Sequence, residues 1–153
     1  MGDLTHVDSQ GRAVMVDVGD KPPVRRQARA AGRIAMACET ARLVRSNGVA
    51  KGDVLAVARI AGIQAAKQTA TLIPLCHPLR LDVIDLRLEV TDWGVEVVAE
   101  AAATERTGVE MEALTAVTVA LLTVYDMCKA VDEKMLIEEV RLLEKVKEPA
   151  GAV

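Results

Sequence analysis

From Val24 to Ala37 the chain alternates with a period of two: Ala28, Ala30, Gly32, Ile34 and Met36 are small or apolar, while Arg25, Gln27, Arg29 and Arg33 stand between them. An extended strand sends successive side chains to opposite sides, so this pattern specifies a strand with one face in a core and the other in water. Whatever else the chain forms must supply the layer that covers the apolar face.

A second alternation supplies partners for that strand. Ile84, Leu86, Leu88 and Val90 interleave with Asp85, Arg87 and Glu89, and after Thr91-Asp92-Trp93-Gly94 another alternating run continues from Val95 to Ala103, which predicts a hairpin. The segments between and after the strands read as helices. A short one runs from about Glu39 to Ser46 and stops at Asn47-Gly48, residues that tolerate the left-handed backbone of a helix end. Lys51-Gly52-Asp53 then forms a turn, with Asp53 placed to cap a helix extending to about Thr69. Val54, Leu55, Val57, Ala58, Ile60, Ala61, Ala65 and Ala66 cover much of that helix, so it is expected to be well buried. Thr107 and Glu110 have the spacing of a capping box at the start of a long third helix. The final segment, MLIEEVRLLEKV, suits either helix or strand, since Glu, Leu and Lys favour the first while Leu136, Val140 and Leu142 fit the second. This order predicts an α+β domain with helices packed on one face of an antiparallel β-sheet.

At 153 residues and 51% hydrophobic content, one domain over residues 1–153 is expected. It would carry an irregular N-terminal arm over 1–23, closed by Pro22-Pro23, and a short tail over 147–153. Three cysteines (Cys38, Cys76, Cys128), far apart and without a C-x-x-C pair, indicate neither a disulfide framework nor a zinc ribbon and suit a reducing compartment. The opening MGDLTHVDSQ lacks a basic segment followed by an apolar core. The longest charge-free run, Ala113 to Tyr125, is shorter than the roughly 20 residues of a membrane helix. A cytoplasmic protein is expected, with no membrane partner.

The net charge of −3 disfavours general nucleic-acid binding, which draws on phosphate neutralisation by basic surface. With no Phe, one Trp and one Tyr, stacking platforms for single strands are nearly absent as well. Yet Lys21, Arg25, Arg26, Arg29, Arg33, Arg42, Arg45 and Lys51 stand against a single acid, Glu39, between residues 21 and 51. A local basic zone on an acidic protein suits a discrete anionic ligand, although a solvated charged face is the commoner origin of a charge run.

Two features bear on chemistry. LIPLCHPL, residues 72–79, holds one of only two histidines between prolines: Pro74 ends the preceding helix and Pro78 pushes His77 toward an extended backbone. His77 is either aimed at a ligand or tucked against the core in a stiff connector. On the long helix, Glu112, Thr115, Val119, Leu122, Asp126 and Lys129 step by three or four and share one face. Glu112 and Asp126 are about 21 Å apart along that axis, so one chain's copies hardly meet at one reacting centre. If the helix packs antiparallel on its copy in a second subunit, Glu112 of one approaches Asp126 and Lys129 of the other. Asp126 and Lys129 also have the spacing of an ordinary surface ion pair, and Glu110 and Glu112 that of acids favouring a helix N-terminus.

The strings KGDVLAVARIAGIQAAKQTATLIPLCHPL, TGVEMEALTAVTVALLTVYDMCKAV and VRLLEK, preceded by LTHVD and MVDV, resemble the molybdenum cofactor biosynthesis protein C family, the cyclic pyranopterin monophosphate synthases. The resemblance runs from about Leu4 to Lys145. It implies a ferredoxin-like plait and a homohexamer, a trimer of dimers with active sites at dimer interfaces. It also implies a lyase reaction in molybdenum cofactor biosynthesis: 3′,8-cyclo-7,8-dihydroguanosine triphosphate, supplied by a radical GTP 3′,8-cyclase, rearranges to cyclic pyranopterin monophosphate with loss of pyrophosphate.

Carried over by motif, the family's substrate contacts fall on Leu75, Cys76 and His77 of LCH and on Met111 and Glu112 of VEME, with Glu110 of the same string counted beside them. The acidic catalytic residue falls on Asp126 of YDM, and catalytic lysines fall on Lys51 of KGD and Lys129 of CKA. Lys67 of AAK is a weaker binding candidate. On charge alone, Arg25 and Arg26 are expected to grip the triphosphate, where each charge-assisted hydrogen bond is worth about 1.5–3 kcal/mol. Lys51 and Lys129 are expected to lie close across the interface, so that their repulsion lowers one ammonium pKa while Asp126 orients it. No resident cofactor or metal is expected, because Cys76 and His77 are adjacent with no complementary ligand cluster. Magnesium can still accompany the triphosphate. Two departures stand out: family members usually continue into a glycine-rich GGKSG-like tail where this chain reads VKEPAGAV, and Arg106 occupies a position where lysine is common. A non-catalytic nucleotide-binding regulatory module and an RNA-binding plait are the competing classes.

Overall fold

A computed structural model describes residues 7–148; Leu4–His6 of LTHVD and residues 149–153 of the expected tail lie outside the described residues. The elements run β1 (Val24–Ala35), α1 (Cys38–Arg45), α2 (Val54–Lys67), α3 (Thr69–Leu72), β2 (Val83–Thr91), β3 (Gly94–Glu105), α4 (Glu110–Cys128) and β4 (Leu136–Lys147). The four strands form one antiparallel sheet in the order β2-β3-β1-β4. Helices α2 and α4 pack on one face of it, α4 over β1 and β3 and α2 over β2. This is the α+β plait that the alternation and its resemblance imply.

The period-two strand takes the central place. Ala28, Ala30 and Ile34 of β1 are buried under α4, whereas Arg25, Arg29 and Arg33 lie on the open face. Small residues let α4 come close: a Cβ on Gly32 would stand 2.9 Å from both Val117 and Leu121. Although α4 is long and apolar enough to cross a membrane by length and composition, Ala113, Ala116, Val117, Ala120, Leu121 and Val124 are core residues of this sheet–helix layer.

Local signals set several boundaries as expected. Asp53 accepts the Ala56 amide at 2.9 Å and caps α2. Asn47 adopts φ 55°, and the amides of Asn47 and Gly48 bond back to Val44 and Leu43, closing α1.

Two expectations need correction, and one left open is settled. The capping box does not form: α4 starts at Glu110 with Val109 as its N-cap and no side-chain cap bond. Thr107 is therefore too far upstream, and Glu110 pairs instead with Lys145 at 3.3 Å. Nor is α2 buried all round. Its packed stripe is Val54, Ala58, Gly62, Ala65 and Ala66, while Val57 and Ile60 are 46% and 55% exposed. The small stripe admits α4, because a Cβ on Gly62 would stand 2.8 Å from the Ala116 carbonyl oxygen, and the larger residues are turned outward. The ambiguous final segment is a strand, since the second edge of β1 offers a hydrogen-bonding ladder that outweighs its helical composition. That ladder is bulged, with two register shifts and Glu139 at φ 55°.

Candidate active site

The carried-over residues other than Lys67 gather in two clusters toward opposite ends of α4. At the first end, the chain turns sharply after α3: Pro74 follows Ile73, and the Cys76 amide donates to the Ile73 carbonyl at 3.1 Å. This turn presents Leu75, Cys76 and His77 to a cavity of about 290 Å³. Glu110, Met111 and Glu112 from the first turn of α4 line it, as do Thr107 and Gly108 just before. Leu79, Val16, Val18 and Lys21 complete the wall.

Glu112 is the chemically distinctive group here. It is 4% exposed, and burial raises its carboxyl from an ordinary 4.5 to about 7. A hydrogen bond from its own main-chain amide opposes the shift, and the nearby charge of Glu110 adds to it. Burial followed by the Glu112 charge also pushes the Cys76 thiol upward, which disfavours its thiolate. The cavity thus contains a carboxyl able to exchange a proton near neutral pH and a half-buried imidazole on a proline-stiffened turn.

At the other end, Lys51 from the turn before α2 meets the last turn of α4. Its Nζ donates to the Asp126 main-chain oxygen at 2.7 Å and to Oδ2 at 3.2 Å, while Lys129 Nζ reaches Oδ1 at 2.7 Å. Lys51 beside Asp126 and Gly62 against Ala116 mean that α2 runs antiparallel to α4. The carboxylate of Asp126 is consequently held below its usual range, by Lys129 first and then by Lys51. The expected lowering of a lysine pKa does not occur at Lys129 within one chain. Its hydrogen bond and charge attraction to Asp126 raise that pKa instead. Lys51 and Lys129 also meet without a subunit boundary, because both converge on Asp126 of their own chain.

The face expected to run straight from Glu112 to Lys129 winds from core to solvent: Glu112 and Thr115 are buried, Leu122 is exposed, and Asp126 and Lys129 are open to water. The basic zone is dispersed by the fold. Arg25 lies near Asp82 and Glu148, and Arg26 donates to the carbonyls of Glu105 and Arg106, both at 3.1 Å. Arg33 engages Glu138 and Glu139, Arg42 engages Glu39, and Arg45 engages Asp92. Of that zone only Lys21 lines the cavity, while Lys51 joins the Asp126 cluster. Lys67 ends α2 as an exposed side chain and is not among the cavity-lining residues. Sequence reasoning missed Val16, Val18, Lys21, Leu79, Thr107 and Gly108 as lining residues; the MVDV string, with valines two apart, was the available signal for the first pair. Among the described residues no group of three or more His, Cys, Asp or Glu side chains is placed to hold a metal ion.

Comparison with known proteins gives this geometry a context. The MoaC family model matches residues 15–148. A cyclic pyranopterin monophosphate synthase of Novosphingobium aromaticivorans is 58% identical over 145 residues, covering 95% of this chain and 92% of that protein. One from Thermomicrobium roseum is 57% identical over 147 residues, covering 95% and 89%. A molybdenum cofactor biosynthesis bifunctional protein of Chlorobaculum tepidum is 56% identical over 140 residues, which are 92% of this chain but 45% of that protein. A match spanning both clusters and the strands and helices between them identifies the chain as a member of the MoaC family.

Proposed function

We propose that this protein is a cyclic pyranopterin monophosphate synthase acting in the cytoplasm. It converts (8S)-3′,8-cyclo-7,8-dihydroguanosine 5′-triphosphate, supplied by the radical GTP 3′,8-cyclase, into cyclic pyranopterin monophosphate and pyrophosphate. The observation that carries this reading is 58% identity to a synthase of that name over 95% of the chain. The rearrangement opens and recloses rings, moves protons, and forms a cyclic phosphate by attack on the α-phosphorus with expulsion of pyrophosphate. In this reading Glu112 gives and takes a proton near neutral pH, His77 and Cys76 with Leu75 and Met111 hold the substrate, and Lys51 and Lys129 stabilise charge developing on the phosphates. Asp126 fixes both lysines, since each Nζ already bonds to it. Glu110, Lys67, Arg25 and Arg26 are secondary binding candidates. No cofactor enters the reading, and any magnesium would arrive with the triphosphate.

The working unit in this proposal is a homohexamer, a trimer of dimers. Along the roughly 21 Å between them, the two ends of α4 cannot both touch one small reacting centre. Antiparallel docking of a second copy across the outer helical face would bring one chain's Glu112 end to the other's Asp126 end. Val57 and Ile60 of α2 with Met111 and Leu122 of α4, all exposed, support such docking. The exposed Leu136, Val140 and Leu143 of edge strand β4 offer a second contact from which dimers could assemble further.

Mixing subunits tests the shared site. Glu112→Ala and Asp126→Ala proteins should each be inactive, with pyrophosphate release and mass spectrometry of the pterin product as readouts. After random mixing, half the dimers pair unlike subunits, and each of those has one intact site of two, so roughly a quarter of wild-type activity should return. No recovery in oligomers shown to be mixed would overturn the shared site.

A further inference from the structure

We propose that Arg106 is a positioning residue that fastens the N-terminal arm as one wall of the substrate cavity; the assignment of that cavity to substrate rests on the function proposed above. Over residues 7–21, the described part of the arm before Pro22-Pro23, there is one isolated bridge, Val7 to Ala13, and no helix or longer strand. A small loop is tied around Asp8, which accepts the Gln10 and Arg12 amides, and a tight turn is closed by the Gly19 amide on Asp17 Oδ1 at 2.8 Å and by the Lys21 amide on the Val18 carbonyl at 3.1 Å. Val16 and Val18 are half-buried, with Asp17 between them exposed, so the two valines face the body and line the cavity together with Lys21.

The attachment is narrow. Among the described residues, the bond from Arg106 Nη1 to the Gly19 carbonyl oxygen is the only hydrogen bond or ion pair that joins residues 7–21 to the folded body. The anchor is itself held: Arg26 Nε and Nη2 donate to the main-chain oxygens of Glu105 and Arg106, each at 3.1 Å, where the chain leaves β3. From there the chain passes directly into Thr107 and Gly108, which line the same cavity. Arg26 therefore sets the position of Arg106, and Arg106 sets the position of the arm. Released at this point, residues 7–21 retain no described hydrogen bond or ion pair to the body, so Val16 and Val18 would no longer close the cavity and bound substrate would lose their packing.

A positioning role separates KM from kcat. Arg106→Ala should raise KM for the cyclised triphosphate about tenfold with kcat within about twofold, because substrate binding weakens while groups at the reacting centre are untouched. Arg106→Lys, whose ammonium can still donate to the Gly19 carbonyl, should restore KM to within about threefold of wild type. Hydrogen exchange on the unliganded protein reads the arm without reference to turnover: the Gly19 and Lys21 amides should exchange faster in Arg106→Ala and return toward wild-type protection in Arg106→Lys. Val18→Ala provides a second route that leaves the anchor intact; combined with Arg106→Ala, its effect on KM should be less than multiplicative, since a released arm has already withdrawn that side chain. A raised KM with unchanged Gly19 and Lys21 exchange would mean that Arg106 contacts substrate directly, and would overturn the proposal. Faster exchange with unchanged KM would also overturn it, because the arm would then not wall the site. A wild-type protein inert toward the cyclised triphosphate would reject the proposed function while leaving the exchange result as a test of the tether.

Discussion

Replacing Glu112 with glutamine should make the protein more stable at pH 8 and leave it nearly unchanged at pH 5. The reason lies in where the proton resides. Folded, the buried carboxyl keeps its proton up to about pH 7, whereas the unfolded chain releases it near its ordinary 4.5. Between those values the folded state binds more protons than the unfolded one, so stability falls as pH rises and then levels off above about 7. At about 1.4 kcal/mol per pKa unit, the complete penalty is about 3.5 kcal/mol, of which about 2.5 develops between pH 5 and pH 8. Glutamine is nearly isosteric, retains an acceptor for the main-chain amide, and carries no proton to lose.

Thermal melts of wild type and Glu112→Gln should be compared at pH 5 and pH 8, at one protein concentration, because any oligomer makes Tm concentration-dependent. Subtracting one protein from the other removes titrations common to both. The gap in Tm should open by roughly 5–10 °C between the two pH values, from about 2–4 °C per kcal/mol for a chain of this size. A gap that stays constant with pH in a dissociated variant would refute the reasoning, as would a Glu112 carboxyl that, titrated directly in that variant, ionises in the ordinary carboxylate range. In turnover the same substitution should remove the limb of the kcat profile near pH 7, since the exchanging proton is gone.

Gly62→Ala tests the closeness of α2 to α4. Intrinsic helix propensity favours alanine by about 1 kcal/mol, but the new Cβ would meet Leu86 at 2.4 Å and the Ala116 oxygen at 2.8 Å. Chemical denaturation should therefore show a loss of about 1–3 kcal/mol, and a stabilised variant would disprove the contact. Asp126→Asn should lower turnover roughly a hundredfold and shift the Lys129 pKa downward while leaving Tm nearly unchanged, because the cluster is exposed. Unchanged turnover would remove Asp126 from the chemistry.

How much of this was legible in the chain depended on whether the deciding interaction was local. Asp53 and Asn47 act within a turn of their own positions, and both mark helix ends as read from sequence. The alternation of β1 likewise states which side faces the core. In β4 the decision came from elsewhere: propensity left helix and strand balanced until β1 presented a ladder. The Thr107–Glu110 spacing is compatible with a cap, but Val109 is buried and fixes the start of α4 three residues after Thr107. The contact of Lys51 with Asp126 spans the antiparallel packing of α2 and α4, which no window of sequence displays. Val16 and Val18 belong to an arm without helical period, so their place in the cavity wall follows only from the body they rest on.

The two ends of α4 are also electrostatically unlike, and the difference bears on why a second chain would be needed. Around Glu112 the chain alone supplies enough cover to shift a carboxyl to about 7. Around Asp126 it supplies much less: Lys51, Asp126 and Lys129 have side chains 45%, 58% and 55% exposed, so water and salt screen their charges. Preorganised cations stabilise transferring phosphates best where water is excluded, and one chain leaves this cluster wet. A second copy docked over the outer helical face would remove that water and set a neutral, proton-bearing Glu112 beside the cations. Such a carboxyl can enter the shared site without adding a full negative charge to the one on Asp126. Assembly and proton state are then coupled: the value of about 7 belongs to the isolated chain, and the partner's lysines would favour the carboxylate, so that in the assembled site Glu112 would give up its proton at a lower pH. The carboxyl should accordingly titrate lower in the assembled protein than in a dissociated variant.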